Sequence, residues 1–529
     1  MSIIIPVNSL DEFGVIDDSP SHLLPPNAWT AAQNMRFRDG FAEKMLGDTA
    51  TMGTPTVPPY HLQPVGTPTT FWWMYMGLAK VYATDGTTHF DITRASGGDY
   101  SATALESWTS GVLGGVPFCN NGFDAPQAWT SVSGGTPLVA LANWPANTTC
   151  KSLRAFKNFL IAMDVTESSV RYPHLIRWSH PAAPGSVPSS WDFTNTALDA
   201  GRRMIGDSGD FLIDGLGLGS IFLLYKENSI YSMQYVGGQQ IFQTEPLTQA
   251  AGMIARRCAA EYRQGLHAVF SDGDLISVDG TSVTSIASKR IRRYVFSRID
   301  GSNYRKSFVL YNRNETEVWF AFPESGQSNP SLAAVWNYQD NKWGFREMPA
   351  GVYGALGVVD ASAQSDAWSA ASGTWDSDAA LWDNRLYNPS LRKAVLADPV
   401  GSRLLLADIS ATFVSGSMTA RVEREGLALP LSLRNSAPPD ATVWKQFLNV
   451  WPQFEGSNGT QIEVQVGVQE DAQSATVWQP AQTFIIGTSR KVDCLGASGR
   501  LLSIRFRSTG TAIWKLSSYE VEFNARGKF

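Results

Sequence analysis

The sequence predicts an all-β fold, with a β-propeller-like central domain and an additional C-terminal β-sandwich-like domain. Three observations carry this. The chain is poor in charge and rich in aromatics, with 17% charged residues and 18 Trp, which excludes disorder, coiled coils and helical repeats. Its apolar positions alternate with a period of two. Turn residues recur at short intervals, with 46 Gly and 28 Pro in 529 residues, as chains of short strands require.

The alternation is clearest at residues 229–235 (SIYSMQY), 307–311 (SFVLY), 317–322 (EVWFAF), 461–468 (QIEVQVGV) and 501–506 (LLSIRF), each read as a strand. A helical period is confined to a short turn near residues 28–34 (AWTAAQN). Residues 216–225 (LGLGSIFLLY) form the longest apolar run, about half the ~20 residues that a membrane-spanning helix needs. Gly215, Gly217 and Gly219 are read as a glycine-rich hairpin, because the Lys-Ser/Thr of a phosphate loop is missing after them.

At ~40–50 residues per four-stranded blade, residues 51–395 have room for six or seven blades. Paired tryptophans across short connections suit blade hairpins: Trp178 and Trp191, Trp336 and Trp343, Trp375 and Trp382. Residues 1–50, with Pro25-Pro26, are read as an extended N-terminal docking leader, and residues 396–529 as a separate C-terminal β domain.

Chemistry-bearing motifs are scarce. The six His form no HExxH, GxSxG does not occur, and the four Cys follow no metal-binding spacing, so neither a metal nor a cofactor is expected and the thiols are read as free in a reducing compartment. The opening MSIIIPVNSLDEFG lacks a basic region, so no signal peptide is expected. A propeller glycosidase would set paired carboxylates in its funnel. The nearest approach to the repeated turn of sialidase-type propellers, Ser277 to Thr281 (SVDGT), is one residue short, and Gly373-Thr374-Trp375 lacks the Asp. Asp207, Asp210, Asp214, Asp272, Asp274 and Asp279 are all read as turn residues. No catalytic residue is assigned and the chain is not expected to be an enzyme.

The outstanding charge feature is residues 289–306 (KRIRRYVFSRIDGSNYRK), with seven basic residues and the single acid Asp300. Read as extended chain, it places Arg292, Tyr294, Phe296 and Arg298 on one face, suited to phosphate contact without sequence readout or to a solvated strand edge.

Several segments, in order, resemble the tail hub or nozzle proteins of short-tailed bacteriophages, also called packaged-DNA stabilisation proteins. They are residues 22–44 (HLLPPNAWTAAQNMRFRDGFAEK), 229–247, 252–300, 314–349, 374–383 (TWDSDAALWD) and 499–529; residues 51–200 match in composition alone. The resemblance implies a structural virion protein of the head-tail connector, assembled in the host cytoplasm. It implies a homo-hexameric tube below the portal and its adaptor ring that retains packaged double-stranded DNA and conducts it during ejection. Tail fibres or tailspikes are implied as further partners, and membrane insertion by this chain is not. On that reading Lys289, Arg290, Arg292, Arg293 and Arg298 line the DNA channel or a subunit interface, and Trp29, Arg36, Arg38 and Asp39 dock the leader to a neighbour. The alternative is a propeller-type glycan-binding or glycan-degrading tail protein.

Overall fold

A computed structural model of the chain describes residues 2–67, 70–106, 108–359, 392–431 and 440–527. Trp375, Trp382 and residues 374–383 therefore lie outside the described residues. Strand dominates, and the strands sort into seven antiparallel four-stranded units joined to a two-sheet sandwich.

Each unit is a meander. Blade 1 runs through His61–Gly66, Phe71–Met76, Val81–Thr84 and His89–Asp91, and blade 2 through Thr109–Leu113, Val116–Asn120, Gln127–Ala128 and Val139–Ala140. Blade 3 comprises Thr148–Phe156, Phe159–Glu167, Val170–Trp178 and Gly201–Met204; blade 4 comprises Leu212–Leu218, Ile221–Lys226, Ile230–Tyr235 and Phe242–Thr248. Blade 5 holds Ala259–Arg263, Leu266–Phe270, Leu275–Val278 and Val283–Ser285, and blade 6 holds Phe308–Asn312, Glu317–Phe322, Leu332–Asn337 and Lys342–Glu347. Blade 7 is assembled from both parts of the chain. Tyr353–Val358, Arg392–Asp398 and Arg403–Ser410 are completed on the outer edge by Gly47–Thr51.

The first strands of successive blades touch one another, and that of blade 7 returns to that of blade 1, so the ring is closed. Apolar cores fill the spaces between neighbouring blades. Leu62, Trp73 and Tyr75 of blade 1 pack with Val395, Ala397 and Leu404 of blade 7, which buries the closing seam. With no open edge left on the ring, the Gly47–Thr51 strand holds the two ends of the propeller together.

The sandwich follows the propeller in sequence but draws in the N-terminus. One sheet pairs Trp444–Gly456 with Trp514–Gly527, flanked by Ile3–Val7 and by the hairpin Met35–Arg38/Phe41–Lys44. The other joins Ala31–Gln33, Thr419–Leu427, Leu501–Thr509 and Gln461–Gln469. The hairpin also meets the outer strand of blade 6, at Phe345↔Met35, making one continuous sheet across both units. Gly344 permits this: a Cβ there would stand 2.3 Å from the Met35 carbonyl oxygen.

Several expectations are corrected here. Residues 1–50 are not an extended leader, because five strands of that segment are built into the sandwich and blade 7. The turn expected near residues 28–34 contains the strand Ala31–Gln33, since pairing with Glu423, Val422 and Arg421 overrides its weak helical period. The propeller also runs past residue 395, to Ser410. Trp336 and Trp343 are direct cross-strand partners with stacked rings 6.0 Å apart, whereas Trp191 packs on Trp144 instead of Trp178. The GLGLG segment is a hairpin arm turning at Gly219, whose φ is +58°.

Candidate functional site at the propeller axis

The chain reaches each innermost strand from the same face of the ring, called the upper face here. On it lies a cavity of about 720 Å³, lined by the approaches to blades 2, 4, 5 and 6 and by Lys151, Asp164 and Arg171 of blade 3. Its charges are balanced, with four acidic and four basic side chains, and Glu106 and Asp164 are paired with cations. Glu106 accepts from Arg256 and from Arg305 (3.2 Å) and lies 3.7 Å from the Lys151 ammonium. Burial would raise the Glu106 pKa, but Arg256, Lys151 and Arg305 hold it below the ordinary carboxylate value. Asp164 receives both Nε and Nη2 of Arg171, at 2.8 and 2.6 Å, and Arg171 lies over the Phe211 ring at 5.2 Å. Phe296 and Tyr304 add aromatic wall.

Beneath the cavity, side chains from the innermost strands fill the axis. Arg154 of blade 3 grips Asp214 of blade 4 through Nε at 2.8 Å and Nη2 at 2.5 Å, and Ser152 donates to the same carboxylate at 2.5 Å. The Arg257 backbone N–H, at the start of blade 5, donates to Asp214 Oδ2 at 3.0 Å. His61 of blade 1 bonds Ser110 of blade 2 at 2.7 Å and stacks on Tyr353 of blade 7 at 4.2 Å. Tyr353 in turn meets Phe308 of blade 6. Thus every blade contributes to a buried plug.

Electrostatics fixes the protonation states of the plug. Burial opposes ionisation of Asp214, yet Arg154, Ser152 and the Arg257 N–H bring its pKa down to about 2. Burial, with Arg257 and Arg154 beside it, drives His61 well below 6.5, so its imidazole is neutral at pH 7. Such a set can bind and orient; neither group titrates near neutrality, as a general acid or base should.

The basic residues predicted to act are mostly elsewhere. Residues 292–296 form a short helix, not the extended chain expected, because the Asp18 carboxylate accepts the backbone N–H groups of Arg292 and Arg293 at 2.9 Å each. Lys289, Arg292, Arg293 and Arg298 are exposed on the crossover between blades 5 and 6. Arg290 donates to the Phe13 carbonyl at 2.8 Å and Arg292 to that of Gly273 at 2.6 Å, while Arg298 covers the Tyr294 ring at 3.9 Å. From the same run, Arg305 and the aromatics Phe296 and Tyr304 do reach the cavity.

Three of the four docking residues, Trp29, Arg36 and Arg38, are engaged within the chain. Trp29 is 1% exposed, donates to the Leu10 carbonyl at 2.8 Å and packs on Phe37, Phe506 and Tyr519. Arg36 is buried among Glu317, Glu315 and Asp408. Arg38 pairs with Glu43 at 2.5 Å and with Glu315, and only Asp39, in the hairpin turn, is exposed. Trp29 and Arg36 therefore serve the fold, a correction to the docking expectation.

Sequence reasoning missed Glu106, Lys151, Arg154, Asp164, Arg171, Arg256 and Arg257, which come from three strands of blade 3 and from the approaches to blades 2 and 5, with no shared spacing. Asp214 was read as a turn residue but occupies the innermost strand of blade 4, a correction that its burial explains. Asp279 does sit in the turn between strands of blade 5, accepting from the N–H groups of Thr281 and Ser282. All four cysteines are free and buried. Among the described residues no group of three or more His, Cys, Asp or Glu is placed to hold a metal, and no helix is long and apolar enough to cross a membrane.

No protein-family model matches the chain, and no curated protein sequence does. Among solved structures, PorZ, a bacterial surface component of the type-IX secretion system of Porphyromonas gingivalis, aligns at 8% identity and a TM-score of 0.33, covering 72% of this chain and 43% of PorZ. The chain thus spans less than half of PorZ. YCF48, solved bound to D1 peptide, aligns at 9% identity and a TM-score of 0.32, covering 54% of this chain and 94% of YCF48.

Proposed function

We propose that the chain is a structural component of a phage tail, a nozzle or hub subunit that assembles as a hexameric tube, retains packaged DNA and conducts it during ejection. The observation that carries this reading is where the resembling segments fall. Trp29, Met35 and Phe37 from residues 22–44 share one hydrophobic core with Ile230, with Val269 and Phe270 of blade 5, with Phe320 and Trp343 of blade 6, and with Phe506 and Val521 near the C-terminus. Segments scattered along the sequence thus share one hydrophobic core, while residues 51–200, which match in composition alone, build blades 1 to 3, whose cores lie between those blades and against blades 4 and 7.

The plugged axis constrains how such a tube would work. A propeller whose centre is filled by His61, Arg154, Asp214 and Tyr353 cannot pass a duplex along its own axis, so the conduit would lie between subunits. Cyclic repetition of one heterologous contact would then set six copies of the exposed Lys289, Arg292 and Arg293 in a ring, available to phosphates or to a neighbouring subunit. Neutralising Lys289, Arg290, Arg292 and Arg293 together should lower DNA retention in assembled virions; unchanged retention with normal assembly would remove the channel role of these residues.

A second reading has its own support. The upper-face cavity falls within the ~300–1,000 Å³ range of small-ligand sites and offers charge and aromatic surface together, which suits a polar ligand such as a glycan. Of its four carboxylates, Glu106 and Asp164 are tied to cations, an arrangement suited to binding.

A further inference from the structure

Charge is unevenly spread over the upper-face cavity. Three cations converge on one carboxylate: Glu106 accepts from Arg256 and Arg305 and has the Lys151 ammonium 3.7 Å away, so positive charge is in excess on this part of the wall. The Arg305 side chain is 53% exposed and meets no other carboxylate among the described residues. Arg171, 48% exposed, gives Nε and Nη2 to Asp164 and leaves Nη1 outside that pair. Burial raises the Glu106 pKa, while Arg256, Lys151, Arg305 and Arg171 all act to lower it, so Arg171 and Arg305 flank the same carboxylate.

The other two acids of the lining, Glu227 and Asp272, are exposed and form no ion pair among the described residues. They stand on the hairpins that join the second and third strands of blades 4 and 5, further from the axis than Arg256 and Arg305 on the approaches to innermost strands. Leu105 and Phe211, 36% and 37% exposed, add open apolar surface. This pattern selects among polar ligands. A multiply charged anion such as a phosphate ester would meet Glu227 and Asp272 as like charges, and a neutral glycan would leave the excess cations unused. A ligand with one carboxylate and many hydroxyls suits both ends: its carboxylate accepts charge-assisted hydrogen bonds from guanidinium, its hydroxyls donate to the free acids, and its C–H faces rest on the apolar wall.

We propose that the cavity binds an acidic oligosaccharide, with a sugar-acid carboxylate held by Arg305 and Arg171 and sugar hydroxyls donating to Glu227 and Asp272. The assignment rests on the glycan-binding reading of this cavity and gives it a ligand class.

The test is calorimetric titration of the whole protein with trigalacturonate, a hyaluronan tetrasaccharide and sialyllactose, each beside its carboxyl-reduced counterpart. At least one acidic form should bind, and its reduced counterpart should bind about tenfold more weakly, the worth of one charge-assisted hydrogen bond. Arg305→Gln, at an exposed side chain, should abolish that preference, and Asp272→Asn should weaken both forms alike. Equal binding of acidic and reduced forms would overturn the proposal and leave the glycan-binding reading standing; no binding of any form would overturn both. A preference for the acidic form that survives Arg305→Gln would place the carboxylate elsewhere and overturn the proposal equally.

Discussion

Arg36 Nε meets Glu317 Oε1 at 2.9 Å across 281 residues of sequence, and both side chains are buried. The same guanidinium reaches Asp408 at 2.6 Å. Since Arg36 lies in the sandwich hairpin, Glu317 in blade 6 and Asp408 in blade 7, one cation clamps three parts of the fold. Arg346 of blade 6, over the Trp319 ring, pairs with Asp48 of the closing strand beside it. Burial works against ionisation of Arg36, but Glu317, Asp408 and Glu315 more than offset it and raise its pKa.

Removing Arg36 would leave buried carboxylates unpaired. Arg36→Met should therefore cost about 3–5 kcal/mol of stability, read as a lower urea midpoint. Arg38→Ala, at a side chain 31% exposed, should cost no more than ~1 kcal/mol. Equal effects would contradict the clamp.

The N-terminal strands should be indispensable to folding. Deleting residues 1–44 removes Ile3–Val7, Ala31–Gln33 and the hairpin, exposing the core around Phe447, Phe506 and Val521. The expected product is insoluble or molten, judged by lost near-ultraviolet circular dichroism; a folded, soluble product would show that these strands are accessory.

Acid should weaken the fold before carboxylates titrate. His267, bonded to Tyr225 Oη at 2.7 Å and the Gly217 carbonyl at 2.9 Å, is lowered by burial from 6.5 to about 4. Its folded pKa lies below the unfolded one, so its full contribution is present above pH 6.5 and declines as pH falls towards 4, by about 3 kcal/mol. His61 acts in the same direction. Asp214, lowered from 3.8 to about 2, adds a further loss below pH 4. His267→Gln should flatten the urea midpoint between pH 7 and 4; an unchanged slope would contradict this assignment.

Local features of the fold were legible and long-range ones were not. Glu317–Phe322 is the strand that its alternation predicted, and Trp336 faces Trp343, because period-two patterning is set by nearest neighbours. The Arg292–Phe296 helix was illegible because its cap, Asp18, is 274 residues away. The leader's Trp29 and Arg36 looked like docking residues because aromatic and charged side chains serve interfaces within a chain as readily as between chains. The axial site draws on every blade, so ring closure creates a juxtaposition that no local spacing encodes.

The most direct test of the proposed role is electron microscopy of the purified, assembled protein. The account predicts a six-fold tube whose lumen lies between subunits while each propeller axis is blocked by side-chain density. A monomer with density for a ligand in the upper-face cavity would contradict the nozzle reading.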